Sequence, residues 1–415
     1  MTRIAVVGAG PSGVFVTAAL LERPDVRVDV YDRSPTPFGL VRYGVAPDHL
    51  KIKSVRRTLS RTLGDPRVSF LGNVEIGRDV SLAALRGAYS AVVLAVGAPE
   101  VNALGIPGDD LAGHVGAGRL VDWYNGRPGA TRPDGERRGR VAVIGGGNVA
   151  LDVARVLLHG REGLAHTDVP EHVLADLDAE PTTDVHLLVR RGPLDTRFTP
   201  AELAAFEKLP DLDLVVDPSC LPAAPPVDDA AAAARLAILA RWSGRPHGGA
   251  RRRLTVRFHS PPVALTGDDR VAAVQLPGGE RLGVDLVVSA VGFRGRPLDD
   301  CPFDPATGTI PHRAGRVDSG LYVTGWIKRG PTGVIGANKA CALETAATLL
   351  ADVPPEDTGP VPSVHAGRPV VSWPGWLAID RAEAALGERH GRARTTIHEL
   401  SRLVRIGTAG EERQP

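Results

Sequence analysis

Cysteine is scarce in this sequence, and its spacing excludes two kinds of chemistry. Of 415 residues only three are cysteine, namely Cys220, Cys301 and Cys341. Their separations match neither a CxxC redox pair nor a zinc-binding cluster. The twelve histidines show no metal-ligand spacing either. We therefore predict neither dithiol chemistry nor a bound metal.

A long apolar run and a large net charge are also lacking. No stretch approaches the roughly 18 apolar residues that cross a bilayer, and 49 basic residues balance 48 acidic ones to a net charge of +1. Neither a membrane nor a nucleic acid is therefore expected as a principal partner. Met1 leads straight into the apolar run 4–7 without the zones of a signal peptide. We expect a cytoplasmic protein of about two or three domains, at roughly 150 residues each.

The first of two glycine-rich loops lies close to the amino terminus. A β-rich run at 4–7 precedes the loop Gly8-Ala9-Gly10-Pro11-Ser12-Gly13, and residues 14–21 read as a helix. In a βαβ unit the three glycines permit a tight turn, close approach of a pyrophosphate and helix–strand packing. Asp32 ends the next predicted strand, where a carboxylate binds the adenosine ribose. The pattern predicts a dinucleotide site.

A second loop in the same context follows a predicted strand at 141–144. Its sequence is Gly145-Gly146-Gly147-Asn148-Val149-Ala150, a GxGxxA pattern. The next predicted strand, 185–189, ends in Arg190 and Arg191, where an NAD site has an acid. Because guanidiniums are forked and permanently charged, they suit a 2′-phosphate. The second coenzyme is therefore expected to be NADP(H), unless the two arginines are only solvated surface residues.

Two dinucleotide sites in one chain indicate a fixed FAD and a nicotinamide coenzyme that reduces it. Hydride transfer requires the two rings to lie within roughly 3 to 3.5 Å of each other. The amino-terminal unit should hold FAD, because Ala95-Val96-Gly97 and the run 320–325, ending in Gly325, are similar to later FAD-contacting segments of such flavoproteins. Residues 282–291 and 320–324 are also predicted to be buried strands.

Four runs, in chain order, resemble the signatures of the adrenodoxin reductase family, which includes bacterial ferredoxin–NADP reductases. They are Pro35–His49, Gly147–Arg155, Phe198–Leu203 and Gly325–Gly336. The resemblance implies an α/β fold with two Rossmann-like dinucleotide-binding domains, for FAD and NADP, of the glutathione reductase-like three-layer ββα type. We predict a discontinuous FAD-binding domain at 1–107 and 312–415, with an NADP-binding domain at 108–311 between its parts.

The activity implied by this resemblance is that of a ferredoxin–NADP⁺ reductase. Such an enzyme takes a hydride from NADPH onto FAD and passes single electrons to a ferredoxin-like iron–sulfur protein, which would serve a cytochrome P450 or another oxygenase. Two alternatives stay open. One is a pathway-specific NADPH-dependent flavoprotein that acts directly on a small molecule, and the other is a binding or assembly subunit whose NADP site is idle.

The resemblance also assigns residues to the two coenzymes. For FAD these are the first loop and Asp32 at the adenine half, Leu40 and Val41 along the flavin, Val96, Gly97 and Gly325, Trp326 where related reductases have aspartate, and Gly333, Val334 and Ile335 near the pyrimidine edge. For NADP(H) they are Gly147, Asn148 and Val149 at the pyrophosphate, Arg190 and Arg191 at the 2′-phosphate, and Glu202 at the nicotinamide end. The predicted catalytic residues are His49, Glu202 and Trp326.

Two of these roles have structural alternatives. Glu202 equally suits a solvated or helix-capping residue, and His49 suits either a proton relay or a hydrogen-bonded structural role. Family members often carry a second glutamate three residues after the first, but Ala205 stands there. We therefore expect His49 to lack a charged partner, with Glu207 as the replacement to be considered.

An arginine-rich stretch without acidic residues lies between residues 231 and 260. Its arginines are Arg235, Arg241, Arg245, Arg251, Arg252, Arg253 and Arg257. The stretch predicts either a basic face, where an acidic ferredoxin would dock in a salt-dependent manner, or an ordinary solvated surface. Trp242 within it is either an interface anchor or a core residue.

Overall fold

The computed structural model describes residues 1–133, 139–223, 229–333, 335–355 and 369–409. Its strands are β1 Thr2–Val7, β2 Val26–Asp32, β3 Val68–Gly72, β4 Ala91–Leu94, β5 Glu100–Val101, β6 His114–Gly116, β7 Arg140–Ile144, β8 Asp184–Leu188, β9 Leu212–Val216, β10 Arg252–Arg257, β11 Ala264–Thr266, β12 Ala273–Gln275, β13 Arg281–Gly283, β14 Leu286–Ser289, β15 Phe293–Arg294, β16 Arg316–Asp318 and β17 Leu321–Val323.

Helices cover the faces of these strands. They are α1 Pro11–Leu20, α2 Leu40–Tyr43, α3 Leu50–Lys53, α4 Arg56–Leu63, α5 Leu82–Ala88, α6 Ala117–Tyr124, α7 Asn148–Leu164, α8 Glu171–Ala179, α9 Pro200–Ala205, α10 Ala230–Ser243, α11 Trp326–Arg329, α12 Ile335–Asp352, α13 Trp373–Glu388 and α14 Leu400–Thr408. Short 3₁₀ turns occur at Pro193–Asp195, Phe206–Lys208, Pro218–Cys220 and Pro277–Gly279.

The first sheet combines strands from both ends of the chain. Its order is β16-β17-β4-β1-β2-β3, and all neighbours are parallel except β16 and β17. Strand β4 is buried along its whole length, as expected for a parallel strand with both faces covered. Helices α1 and α12 contribute to the core on one face of the sheet, and α5 contributes to the core on the other.

The second sheet is entirely parallel, in the order β6-β14-β7-β8-β10-β9. Helices α6, α7, α8 and α10 pack on one face. On the other face lies the antiparallel sheet β11-β12-β13, where Leu265 and Val274 pack against Ile144 and Leu188. A helical layer, a parallel sheet and an antiparallel sheet give the expected ββα layering, and the predicted α/β fold class is confirmed.

One strand prediction was wrong in detail. Residues 282–291 form two strands, β13 and β14, and not one. Between them Asp285 turns the chain, because its carboxylate accepts from the backbone N–H of Arg140 at 2.8 Å while its own N–H donates to the Arg140 carbonyl at 2.8 Å. Strand β17 lies within the predicted run 320–324.

The predicted domain boundaries and the expected cytoplasmic location stay predictions. The domain boundaries at 107/108 and 311/312 are not fixed by the sheet assignments. Among the described residues no helix is both long and apolar enough to cross a bilayer, and this finding does not identify a compartment.

The first glycine of each loop lies close to the backbone that follows a neighbouring strand. A Cβ atom on Gly8, after β1, would lie 2.5 Å from the carbonyl oxygen of Ala95, which follows β4. A Cβ atom on Gly145, after β7, would lie 2.6 Å from the carbonyl oxygen of Ala290, which follows β14. Only glycine permits this approach. The two loops therefore occupy equivalent positions at the carboxyl edges of their sheets.

A buried ion network fixes α2 against the carboxyl-terminal helix α13. Glu383 is fully buried and accepts from Arg42 at 3.0 Å, from Arg394 at 2.8 Å and from the backbone N–H of Ile397 at 2.9 Å. Burial raises the pKa of Glu383, but Arg42 and Arg394 outweigh that effect and hold it below its usual value. The carboxylate is thus ionised and pairs with two buried guanidiniums.

We expect Glu383→Gln to lower the free energy of unfolding by about 3 to 5 kcal/mol, because it leaves Arg42 buried without a counter-charge and leaves Arg394 paired only with the partly exposed Asp380. Urea unfolding followed by tryptophan fluorescence measures this loss. The matched control is Asp380→Asn, which removes an acid that also pairs with Arg394 but is 40% exposed and should cost at most about 1 kcal/mol. Equal losses in the two variants would contradict the assigned role of Glu383.

Candidate functional site

The first loop offers an open glycine backbone at the start of α1. The nearest atom to a Cβ on Gly10 would be Gly39 Cα, at 3.9 Å, whereas a Cβ on Gly13 would lie 1.8 Å from the Gly8 carbonyl oxygen. Gly13 therefore serves packing between helix and strand, and Gly10 leaves room for a ligand. Unpaired backbone N–H groups of a helix start favour an anion here. The residues fit the pyrophosphate of a dinucleotide.

Asp32 lies beside this loop at the end of β2. Its carboxylate accepts from the backbone N–H groups of Ala9, at 2.7 Å, and Ser34, at 2.8 Å. Burial raises the pKa of Asp32, while these two hydrogen bonds favour the ionised form. Each oxygen keeps a second lone pair that can accept from a ribose hydroxyl. Asp32 thus fits the role predicted from the sequence.

A strained segment leads from this loop toward His49. The backbone N–H of Phe38 donates to the Ala9 carbonyl at 2.8 Å, and Phe38 adopts a φ of 81°, which side-chain-bearing residues rarely adopt. The Phe38 side chain is buried against Trp376. Next to it, Leu40 is 39% exposed and Val41 is buried. The predicted flavin-contacting pair thus follows a backbone held tightly against the first loop.

The segment after β17 also contacts the first loop. A Cβ on Gly325 would lie 2.4 Å from the hydroxyl oxygen of Ser12, so the two residues touch. Trp326 follows at the start of α11, and its indole N–H is buried without a hydrogen-bond partner among the described residues. Its ring centroid lies 6.4 Å from that of Phe293. An unpaired buried donor at this position suits a polar group of a bound cofactor.

Two of the other residues predicted to contact FAD lie near the same edge. Val96 and Gly97 follow β4, and the Val96 nitrogen would be 3.5 Å from a Cβ on Gly8. Gly333 has a φ of 81°. Arg329 supports this turn, because it donates to the Thr332 carbonyl and, at 2.6 Å, to the Asn338 amide oxygen. Ile335 begins α12, and Val334 lies outside the described residues.

The second loop is tied to the segment that carries Glu202. The Asn148 side-chain oxygen accepts from the backbone N–H of Thr199 at 2.8 Å, and Thr199 caps α9 by accepting from the backbone N–H of Glu202 at 3.3 Å. No atom lies within 4 Å of a Cβ built on Gly147. The loop therefore has the same open backbone as the first, at the start of α7, where Val149 also lies.

Three arginines surround this second loop. Arg190 and Arg191, at the end of β8, are exposed, and neither forms an ion pair with another described residue. Arg197 is also exposed, and its backbone N–H donates to the Gly146 carbonyl at 2.7 Å. Arg197 was not predicted from the sequence, although its position between the arginine pair and Phe198 was a usable signal. A permanently charged group at the loop suits a phosphate.

A buried guanidinium joins the two halves of the site. Arg155 on α7 is 1% exposed and donates to Asp48 at 3.2 Å, to Asp152 at 2.7 Å and to Glu202 at 3.0 Å. Burial opposes ionisation of Asp48, but hydrogen bonds from His159 and Arg155 hold the pKa of Asp48 well below its usual range. The result is a dense, partly buried charge cluster that also includes His49.

Glu202 is neither solvated nor a capping side chain. Its carboxylate contacts both Arg155 and His49 Nε2 at 3.0 Å and is 15% exposed. In a capping box this side chain would accept from the backbone N–H of Thr199, but Asn148 binds that N–H. The carboxylate is therefore directed into the cluster, and the structural alternative for Glu202 is wrong.

His49 has charged partners, contrary to the expectation drawn from Ala205. Its Nε2 lies 3.2 Å from Asp152 and 3.0 Å from Glu202. The Arg155 Nη2 atom, 2.6 Å away, disfavours a proton on this nitrogen. Hydrogen bonds to Asp152 and Glu202 outweigh burial and Arg155 and raise the pKa of His49 to about 9. Glu207 is not involved, because it binds Arg241, Trp242 and Arg245.

The same cluster has the ligand atoms of a metal site. Potential ligand atoms of His49, Asp152 and Glu202 lie within 4.8 Å of one another. The Arg155 guanidinium approaches two of these groups to 2.7 Å or less. Because the guanidinium carries a permanent positive charge at this distance, it would repel a divalent cation bound there. The absence of a bound metal stays our prediction.

Most arginines of the stretch 231–260 are paired or buried, which weakens the basic-face alternative. Arg241 and Arg245 pair with Glu207, Arg251 with Asp211 and Arg257 with Glu280, and Arg235 is buried. Arg252 donates to backbone carbonyls of Leu158 and Pro210. The acids come from other parts of the chain, so the local sequence did not reveal them. Trp242 is fully buried against Phe206 and is a core residue.

Three members of the cluster were not predicted from the sequence. Asp48, Asp152 and Arg155 were present in the quoted runs but were given no role. A usable signal was the i, i+3 spacing of Asp152 and Arg155, which places both on one face of a helix. Asp48, next to His49, gave no comparable signal because its contact with Arg155 joins residues 107 positions apart.

Comparison with protein families supports a pyridine-nucleotide enzyme. Residues 2–208 match the model of the pyridine nucleotide-disulphide oxidoreductase family. The NADPH-ferredoxin reductase FprA of Mycobacterium leprae is 40% identical, with 97% of this chain and 98% of that protein covered. The mitochondrial NADPH:adrenodoxin oxidoreductase of Homo sapiens is 38% identical over 97% of this chain and 91% of its own length.

Comparison with solved structures gives the same relationship as the sequence relatives. Mycobacterium tuberculosis FprA in complex with NADPH superposes with a TM-score of 0.93 at 38% identity, covering 98% of this chain and 99% of that one. The thioredoxin reductase of Lactococcus lactis, at a TM-score of 0.53 and 14% identity over 85% of this chain and 99% of its own, shares only the fold.

The raised pKa of His49 predicts a pH-dependent stability. A histidine whose pKa rises on folding contributes stability that is complete below its unfolded value of 6.5 and is lost as the pH rises through about 9. We expect the melting temperature of His49→Gln to fall furthest below that of the wild type near pH 6. The difference should shrink toward about pH 9.5.

Thermal unfolding of both proteins across this pH range, monitored by tryptophan fluorescence, measures the effect. His166→Gln, at an exposed position, is the matched control and should follow the wild type at every pH. A difference for His49→Gln that does not change with pH would show that the imidazole is not charged in the cluster.

Proposed function

The chain belongs to the adrenodoxin reductase family, and from this premise we propose that it is an FAD-dependent NADPH–ferredoxin reductase. The observation that carries the proposal is that Arg155 links the segments that lead away from the two glycine loops. The first loop is hydrogen-bonded to Phe38, at the start of the segment that ends at His49. Arg155 lies two turns into α7, which begins at the second loop. Two dinucleotide sites therefore adjoin one charge cluster.

FAD is assigned to the first site. When bound, FAD accepts a hydride and releases its electrons one at a time. The chain would hold its adenosine through Asp32, its pyrophosphate through the start of α1, and its ring between the Leu40–Val41 segment and the turn at Gly333. The indole N–H of Trp326 is a further donor at this edge.

NADPH is assigned to the second site. The backbone of Gly147, Asn148 and Val149 at the start of α7 would bind the pyrophosphate, and Arg197 is near enough to the loop to add charge. Arg190 and Arg191 would bind the 2′-phosphate, which supports NADPH over NADH. Glu202 would lie at the nicotinamide end.

The cluster at Arg155 positions the two coenzymes and holds a proton. Because Arg155 links Asp48 with Glu202, it fixes the Phe38–His49 segment relative to α9. The proton at His49 Nε2 is shared with Asp152 and Glu202, so His49 would carry positive charge at neutral pH. Hydride transfer itself needs no acid or base from the chain, and we assign these residues to orientation and charge balance.

The electron acceptor in this proposal is a ferredoxin-like iron–sulfur protein. The names of the relatives in Mycobacterium leprae and Homo sapiens support this class of partner. Delivery of the electrons onward to a cytochrome P450 or another oxygenase is a further part of the proposal, and it is supported by the adrenodoxin reductase resemblance. We also propose that the enzyme is cytoplasmic.

We expect NADPH to bleach the absorbance of the FAD-loaded protein under anaerobic conditions, and the reduced protein to reduce an added ferredoxin within a stopped-flow trace. The iron–sulfur absorbance measures the second step. Slow bleaching by NADPH would contradict an active NADP site. Rapid bleaching without transfer to any of several ferredoxins would contradict the proposed acceptor and favour a small-molecule substrate.

Arg190→Ala/Arg191→Ala should raise KM for NADPH by roughly 10- to 100-fold, because each arginine supplies charged hydrogen bonds to the phosphate. KM for NADH should change little, since NADH has no 2′-phosphate. Steady-state reduction of ferricyanide with each coenzyme measures both constants. Arg405→Ala, an exposed arginine on α14, is the control. An equal loss with both coenzymes would refute the 2′-phosphate assignment.

A further inference from the structure

His259 has an unusual backbone conformation beside the proposed 2′-phosphate site. It follows β10 and adopts a φ of 54°, in the left-handed region that glycine adopts most readily. Two backbone hydrogen bonds hold the turn, from His259 to the Arg191 carbonyl at 3.1 Å and from Ser260 to the Val189 carbonyl at 3.0 Å. Strained backbone of this kind concentrates at ligand sites.

The strand register places His259 next to the arginine pair. Strands β8 and β10 are parallel neighbours with Leu188 opposite Arg257, so their carboxyl ends lie side by side. A Cβ on Gly192 would lie 3.1 Å from both Cε1 and Nε2 of His259. The imidazole therefore lies against the backbone just after Arg191, and glycine at 192 leaves room for it.

The ring is available to a ligand. His259 is exposed, and its imidazole has no hydrogen bond or ion pair with any residue in the described ranges. The adjacent charges are Arg190, Arg191 and one acid, Asp195, whose carboxylate oxygen would be 3.9 Å from a Cβ on Gly192. The neighbouring Arg257 is already paired with Glu280. The two strand ends thus carry an excess of positive charge and hydrogen-bond donors.

We propose that His259 is a third ligand of the coenzyme's 2′-phosphate, with its imidazole N–H donating to a phosphate oxygen beside Arg190 and Arg191. This inference rests on the proposed NADPH specificity and extends it to a residue on a second strand. A phosphomonoester has three terminal oxygens, so donors from two strand ends can bind it together. His259 would then help to distinguish NADPH from NADH.

The test variant is His259→Gly, which removes the imidazole but adopts a φ of 54° without strain. We expect the inhibition constant of adenosine 2′,5′-bisphosphate and KM for NADPH to rise roughly tenfold, as expected for loss of one hydrogen bond to a charged group. The inhibition constant of adenosine 5′-monophosphate and KM for NADH should stay within about twofold of the wild type. His259→Asn, which also tolerates this backbone and keeps an amide donor, should show a smaller rise.

His247→Gly is the matched control, because His247 is an exposed histidine of the same segment, and it should match the wild type with all four compounds. Melting temperatures of the three variants show whether they are folded. Unchanged inhibition and Michaelis constants in folded His259→Gly would overturn the inference, and so would equal losses of affinity for compounds with and without the 2′-phosphate. The proposed function would still stand in either case if Arg190→Ala/Arg191→Ala shows its expected effect. If the wild type itself does not distinguish the two inhibitors, both fail.

Discussion

The architecture of the site depends on the burial of one guanidinium. Arg155 is 1% exposed, and a buried charge without partners would cost several kcal/mol. Its compensation is divided, because Asp152 lies on its own helix, Glu202 on α9, and Asp48 in the segment that leads back to the first loop. Asp152 is available on the same helix, but the contacts of Arg155 with Asp48 and Glu202 form only when the three elements assemble. The same condition therefore sets the stability of the cluster and the relative placement of the two dinucleotide sites.

The carboxyl-terminal segment provides a second, independent connection. Arg392 donates to the Val169 carbonyl at 2.8 Å, and the Thr396 N–H donates to the Asp168 carbonyl at 2.9 Å. The side chain of Asp168 accepts from buried Lys53, which lies four residues after His49 on α3, at 2.8 Å. Since Glu383 on α13 holds Arg42 of α2, the segments on either side of His49 are both fixed. A change near the carboxyl terminus is therefore expected to reach the site.

Sequence patterns predicted the features that depend on residues close together in the chain. Both glycine loops, the strands before them and the acid or arginines after them follow from short spacings that fix local geometry. Long-range pairing was not predictable in this way. The basic-face alternative lost support because the counter-charges of its arginines, such as Glu207 for Arg241, lie 34 positions away, and His259 gains its neighbours only through strand register. Asp48 and Arg155 illustrate the same limit at 107 positions.

Electrostatics explains how two similar loops would keep different coenzymes. Asp32, with both carboxylate oxygens bound to backbone N–H groups, places negative charge where a 2′-phosphate would lie in the first loop. At about 4 Å, two like charges repel by about 4 kcal/mol near a protein surface, so NADPH is disfavoured there. At the second loop Arg190 and Arg191 follow the corresponding strand, β8, and would attract that phosphate. NADPH at the first loop would therefore be repelled by Asp32. FAD at the second loop would not use the contacts that Arg190 and Arg191 offer to a 2′-phosphate.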